Sequence, residues 1–277
     1  MRLVTYASDR GPRAGVVRDG GVIDAWEALG GGGASMRELL ESGRVGELER
    51  IEGSAAPLDS VELLAPVPDP QKLIGIGLNY ADHAKEGRAE PPPSPTFFAK
   101  FANALRPDGA TVELPATSEK VDYEAEVAFV VGRRAKDVGE AEAIEHLAGY
   151  TLLNDLSARD LQFATPQWMP GKVFDGAAPC GPAIVTPDEA GPHDAIEIAL
   201  DLNGERMQED TTAGLIFSIP ELVAHLSNLM TLEPGDVIAT GTPAGVGGAR
   251  EPRVWLRPGD ETVVSSPQLG RLTTRLA

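Results

Sequence analysis

The sequence predicts an α+β protein rich in strands, on three observations. Short runs of strand type recur along the whole chain, among them LVTYA, KLIGIG, VAFVVG, GYTLLND and DVIAT. Only a few segments carry helical patterning. The rigid stretch APVPDP at 65–70 separates a short first part from a long second part. The expected organisation is therefore a small N-terminal α/β domain over 1–65 and a larger domain over 66–277. A chain of 277 residues, 42% hydrophobic and 24% charged, can bury a sizeable core.

In order, the first part holds short strands (LVTYA, GVVRDGGVID), a glycine run at 30–33, and a helical piece, MRELLESGRVGELERI. After the joint, KLIGIGLNYADHAKEG reads as a strand, a tight turn and a helix from about Tyr80 that ends before the proline cluster EPPPSP. TFFAKF is extended. VDYEAEVAFVVG is a strand, GYTLLNDLSARDLQ a strand entering a helix, and AIEIALDLNGERMQED a hairpin turning at Asn203-Gly204. SIPELVAHLSNLM is an amphipathic helix with Ser218 as N-cap and Pro220 in its first turn. DVIATGTPAGVG is a strand feeding a Gly/Thr loop.

A net charge of −18 argues against nucleic acid or an anionic membrane surface as a partner. The single cysteine, Cys180, excludes a disulfide framework and fits a buried, inert thiol in AAPCGPAI. The N-terminus lacks the apolar core of a signal peptide, and no apolar run is long enough to cross a bilayer. A cytoplasmic protein is the expectation.

Five groups of residues could carry chemistry. On a strand through 121–132, alternation places Asp122, Glu124 and Glu126 on one face. Such a row either faces water or meets a counter-charge, and the apolar continuation of the strand favours the latter. With Asp155, at the end of GYTLLND, Glu124 and Glu126 would make an all-oxygen shell for Mg²⁺, Mn²⁺ or Ca²⁺. Otherwise Asp155 caps the following helix. His83 and Glu86 are three apart on one helix face, which suits a general base held by a carboxylate and equally a surface pair. Lys172, in WMPGKVFDG, is a solvated lysine or an electrophilic helper beside a developing oxyanion. Arg159 and Gln162 share a helix face and could point into the same pocket. The loop TGTPAGVG matches no P-loop and could present amides and the Thr242 hydroxyl to an anion.

Taken together, LNYADHAKE, FFAKFANAL, DYEAEVAFVVG, GYTLLNDLSARDLQ, GKVFDGAAPCGPAI and DVIATGTPAGVG, in this order, resemble the fumarylacetoacetate hydrolase family over about residues 65–265. Residues 1–65 look like the small variable domain of its bacterial members. The resemblance implies a rolled, mostly antiparallel, barrel-like mixed sheet and a homodimer. It makes Glu124, Glu126 and Asp155 the ligands of a metal, usually Mg²⁺. It makes His83 and Glu86 a catalytic dyad on a lid helix, Lys172 the lysine that reaches the substrate, and Arg159, Gln162 and Thr242 contacts to substrate oxygens. The implied activity is hydrolysis of a C–C bond in an acylpyruvate or other 1,3-dicarbonyl acid through a metal-bound enolate. Oxaloacetate decarboxylation is an alternative. So is isomerisation of 2-hydroxyhepta-2,4-diene-1,7-dioate or 5-carboxymethyl-2-hydroxymuconate, and a non-catalytic binding relative is a third. Selection among 2-oxo and diketo acids is expected from 87–95 and the loop leading to Val121.

Overall fold

The structure, a computed structural model, describes residues 1–51, 53–87 and 90–277. Residues 88–89 of the expected substrate-selecting segment lie outside the described residues. The fold is α+β and strand-rich. Its frame is a twelve-stranded, open, mixed sheet in which antiparallel pairs predominate, and a five-stranded sheet packs beside it.

The middle of the large sheet runs from Ala178–Val185 through Leu147–Asn154, Ala125–Val131 and Val237–Ala239 to Leu73–Gly77, with Thr96–Lys100 at the end. The strand Ala125–Val131 is buried on both faces. Val127, Phe129 and Val131 enter one core, while Ala128 and Val130 enter the other. Small alanine side chains on the second face let the neighbouring elements approach closely. The five-stranded sheet contributes Ile198, Leu200, Val264, Leu272 and Leu276 to the first core.

The N-terminal strand Arg2–Tyr6 pairs with Ala178–Val185 and so extends the same sheet. Leu3, Val16, Trp26, Leu39 and Leu48 share the second core with Ala128, Val130 and Leu153. Inside this part, the buried Arg13 guanidinium grips Asp24, whose carboxyl falls to about 2 although burial opposes ionisation.

Several local expectations appear in the structure. The helix Ile219–Leu229 starts with a capping box between Ser218 and Glu221 and carries proline in its first turn. Asn203 and Gly204 both take positive φ, 52° and 82°, and close the hairpin between Glu197–Leu202 and Glu205–Thr211. The acidic strand differs from expectation. It breaks after Val121–Asp122 and resumes at Ala125. At the break, the Glu124 amide donates to Asn154 Oδ1 at 3.1 Å and the Glu124 carbonyl accepts from the Asp155 amide at 2.8 Å. These two bonds join the two acidic segments at the break. Among the described residues, no helix is long and apolar enough to cross a membrane.

The central strand is the keystone of both cores. Phe129→Ala is expected to destabilise the protein by about 3–5 kcal/mol, the usual cost of emptying a fully packed phenylalanine site, with an unchanged urea m-value as the check that the unfolding unit is the same.

Candidate active site

A cavity of about 830 Å³ is bordered by residues of the segments 76–78, 124–126 and 242–246. Its wall includes His83, Glu86, Glu124, Glu126, Arg159, Gln162, Lys172 and Thr242. Eight of the nine residues singled out from the sequence therefore meet on one surface. The ninth, Asp155, lies just beneath it, bonded to Lys172.

Glu124, Glu126 and Asp155 are buried, and each offers an oxygen within 4.8 Å of the others. Glu124 and Glu126 leave the same face of the interrupted strand, two residues apart. Asp155 comes to them because it follows Leu147–Asn154, the antiparallel neighbour, with Ala125 opposite Asn154. Three carboxylates without a thiolate or imidazole form a donor set for a hard divalent cation, and their spacing leaves room for one.

The charges around them are nearly balanced by the chain itself. Lys172 Nζ donates to Glu124 Oε2 at 2.7 Å, Asp155 Oδ2 at 2.8 Å and Ser157 Oγ at 2.6 Å. Arg159 holds Glu124 Oε1 at 2.7 Å. Burial opposes its ionisation, yet Arg159, Lys172 and His83 keep the Glu124 carboxyl well below the usual range. Burial, followed by the charges of Asp155 and Glu124, pushes Glu126 well above it. Among the described residues, Glu126 receives one hydrogen bond, from the Gly241 amide at 2.8 Å. It is the acid for which the chain supplies too little positive charge.

Lys100 is a site residue that sequence reasoning passed over. It is 3% exposed and donates to Asp155 Oδ1 at 2.6 Å and the Lys172 carbonyl at 2.5 Å. Burial lowers its affinity for a proton, against the attraction of Asp155. The signal was present in TFFAK, where alternation puts Lys100 on the same side as Phe98, the buried face of that strand. Asn79, Asn154 and Gln208 were also missed. Asn79 ties the turn before the His83 helix to Phe217 and Thr240. Gln208 binds the Ala125 amide, the Thr242 hydroxyl and the Pro243 carbonyl.

His83 and Glu86 sit on the short helix Ala81–Glu86, with Nδ1 of the imidazole 3.4 Å from Glu86 Oε2. Both Glu86 oxygens accept from the Gly245 amide, at 3.0 and 3.1 Å. The pair is thus anchored across the cavity and is not a free surface pair. Arg159 donates to Gln162 Oε1 at 3.0 Å, and both are largely buried.

The Gly/Thr loop behaves differently from the sequence expectation. Its amides do not wait for an outside anion. Gly241 serves Glu126, Gly245 serves Glu86, and Gly247 and Gly248 serve Asp122. Asp122 is wholly buried. Cys180 is 2% exposed, with its thiol pushed up to about 12 by burial, and stands apart from this chemistry.

The raised Glu126 fixes a pH signature. An acid whose folded value lies above its unfolded value stabilises the fold in its protonated form, and that contribution is lost as pH rises through the raised value. A cation at the triad would replace the proton. The gain in Tm from added Mg²⁺ is therefore expected to grow with pH, and the apparent Mg²⁺ affinity to rise by up to about tenfold per pH unit while one proton is displaced. Thermal melts and calorimetric titrations across pH, compared with Glu126→Gln, check this.

The family model for the C-terminal part of fumarylacetoacetate (FAA) hydrolase matches residues 72–277. The mitochondrial oxaloacetate tautomerase FAHD2B of Bos taurus is 39% identical over 289 residues, covering 100% of this chain and 91% of that protein. A fumarylacetoacetate hydrolase from psychrophilic Exiguobacterium antarcticum superposes with a TM-score of 0.87 at 34% identity, over 100% of this chain and 99% of that one. A 5-carboxymethyl-2-hydroxymuconate delta-isomerase from Mycobacterium smegmatis does so with a TM-score of 0.81 at 34% identity, over 100% and 98%. On the sequence match and the shared architecture, the chain belongs to the fumarylacetoacetate hydrolase family.

Proposed function

We propose that the protein is a divalent-metal-dependent enzyme that moves a proton at the carbon next to the carbonyl of a 2-oxo acid, with keto–enol tautomerisation of an oxaloacetate-like substrate as its reaction. The observation that carries this reading is the placement of the His83–Glu86 pair on the wall of the cavity lined by Glu124 and Glu126, with Asp155 of the same carboxylate cluster beneath it. Among the described residues, His83 is the histidine on that wall. The full-length similarity to an oxaloacetate tautomerase supports the same substrate class.

Glu124, Glu126 and Asp155 would hold the cation, with Mg²⁺ as the occupant we favour on the all-oxygen donor set. Bound there, it would polarise the 2-oxo group and lower the cost of forming an enolate. The protein's own groups do the rest. His83 accepts the proton from the carbon. Glu86, fixed by the Gly245 amide, keeps the imidazole oriented and stabilises its charged form. The Lys172 ammonium stands beside the carboxylate cluster, where it can steady negative charge growing on a substrate oxygen. Arg159, Gln162 and Thr242 border the same space and would orient the acid group. His83 then returns the proton at the other end of the enolate. Phe98 and Trp168, packed edge to face with centroids 6.2 Å apart, line the cavity and limit water there.

Hydrolytic C–C cleavage of an acylpyruvate is the second reading. It uses the same base to activate water, and similarity to the Exiguobacterium antarcticum hydrolase favours it. A homodimer belongs to both readings. Phe97 and Phe101, 39% and 51% exposed at the terminal strand of the large sheet, offer an apolar edge to a second copy.

Purified protein with Mg²⁺ should interconvert the keto and enol forms of oxaloacetate. Chelation should abolish the activity and added Mg²⁺ restore it. His83→Ala should lower kcat by about 10²–10⁴-fold, the range for a lost general base, with Mg²⁺ binding retained. Cleavage of acylpyruvates with oxaloacetate untouched would put hydrolysis first. A metal-loaded protein inert toward oxaloacetate, acylpyruvates and 5-carboxymethyl-2-hydroxymuconate would sink the enzymatic reading.

A further inference from the structure

The acidic segment contains one carboxylate that neither borders the cavity nor belongs to the cluster of three. Asp122 is fully buried, and its two oxygens accept four N–H bonds and make one further ion-pair contact. Oδ1 takes the amides of Tyr123 at 2.9 Å and Gly247 at 2.8 Å. Oδ2 accepts from the Gly248 amide and from Arg159 Nε, each at 2.9 Å, and pairs with a terminal Arg159 nitrogen 2.9 Å away.

This pattern divides the Arg159 guanidinium into two working edges. Its Nε edge is spent on Asp122. Its remaining terminal nitrogen is left for Glu124 Oε1 at 2.7 Å and Gln162 Oε1 at 3.0 Å, on the cavity side. A planar guanidinium held along one edge has its other nitrogen fixed in direction. The same carboxylate docks the loop whose residues Val246, Gly248 and Ala249 form part of the cavity wall. The approach needs glycine, because a Cβ on Gly247 would lie 2.8 Å from Asp122 Oδ1 and 2.1 Å from the Val254 carbonyl.

We propose that Asp122 is a positioning residue of the active site: it fixes the guanidinium of Arg159 against the substrate space and pins the 245–248 loop that closes it. Asp122 touches no substrate itself. The proposal rests on the reading that Arg159 meets the acid group of a 2-oxo acid, and the test keeps the two apart.

The probe is oxalate, a planar analogue of a 2-oxo acid enolate, titrated into Mn²⁺-loaded protein by calorimetry, with Mn²⁺ affinity and Tm measured separately. Asp122→Asn keeps the shape but turns one oxygen into a donor that faces other donors. It should weaken oxalate about tenfold or more, as expected for the loss of a charge-assisted bond, and raise KM more than it lowers kcat. In an Arg159→Met background the same change should cost little further, because residues that act through one another are not additive. A general loss of packing would instead cost the same in both backgrounds, and that result overturns the proposal. Oxalate affinity unchanged in Asp122→Asn overturns it as well. Should Asp122→Asn fail to fold, Arg159→Lys decides. One ammonium cannot serve Asp122 and the cavity together, so affinity should fall nearly as far as in Arg159→Met, and wild-type affinity in that variant overturns the proposal. Failure of the unaltered, Mn²⁺-loaded protein to bind oxalate would strike at the substrate reading and withdraw the basis for this one.

Discussion

The site is governed by the cost of burying several carboxylates together. With ligand oxygens within 4.8 Å of one another, each ionised pair repels by at least about 3 kcal/mol at an effective dielectric constant of ~20. Lys100, Lys172 and Arg159 bring three positive charges to the four acids Asp122, Glu124, Glu126 and Asp155. The deficit falls on Glu126, which among the described residues has no cationic partner within bonding distance and whose carboxyl is raised well above the usual range by burial and its acidic neighbours. A pocket balanced to within one charge resists collapse without a cation and still favours one. That balance explains why two lysines lie in the interior of a protein with a net charge of −18.

The Gly/Thr loop is the second half of the same solution. Each backbone amide given to a carboxylate lowers the cost of burying it without adding a competing side chain. Four amides of the loop, at Gly241, Gly245, Gly247 and Gly248, are spent in this way on three acids. Glycine is needed at Gly245 on two grounds. Its φ is 105°, and a Cβ there would lie 2.1 Å from the Met207 carbonyl. The loop resembles an anion-binding nest, but its anions belong to the protein.

What could be read from the residues divides along this line. Local chemistry was legible: the Asn203-Gly204 turn, the Ser218 cap, the helix bearing His83, and the alternation that sends Val127, Phe129 and Val131 to one core. The gathering of Glu124, Glu126 and Asp155 was an option from residue type alone and became definite only through the order of motifs, since nothing in their spacing places residue 155 beside residue 124. Asp122 shared the strand face of Glu124 and Glu126 by alternation, but the break at Tyr123–Glu124 redirects it toward Gly247 and Gly248. Only long-range bonding to Asn154 and Asp155 creates that break. Pairing of Arg2–Tyr6 with Ala178–Val185 joins residues more than 170 apart, and no local pattern encodes it. Lys100 was legible in principle, but its pairing with Asp155 depends on how the strands are ordered in the sheet.

The same logic bears on the His83–Glu86 pair. Ala81–Glu86 has six residues, too few to be stable alone. One face is held by Ala84, which is buried, and the turn before it is fixed by Asn79. Beyond that, the bond from Gly245 to Glu86 ties the helix to the loop. The orientation of His83 is therefore set by the loop that also serves Glu126 and, through Asp122, bears on Arg159. His83, Glu126 and the Arg159 guanidinium are referred to one backbone segment. A shift of that segment would move all three together, so their mutual geometry is kept by a single element of main chain and not by three independent ones.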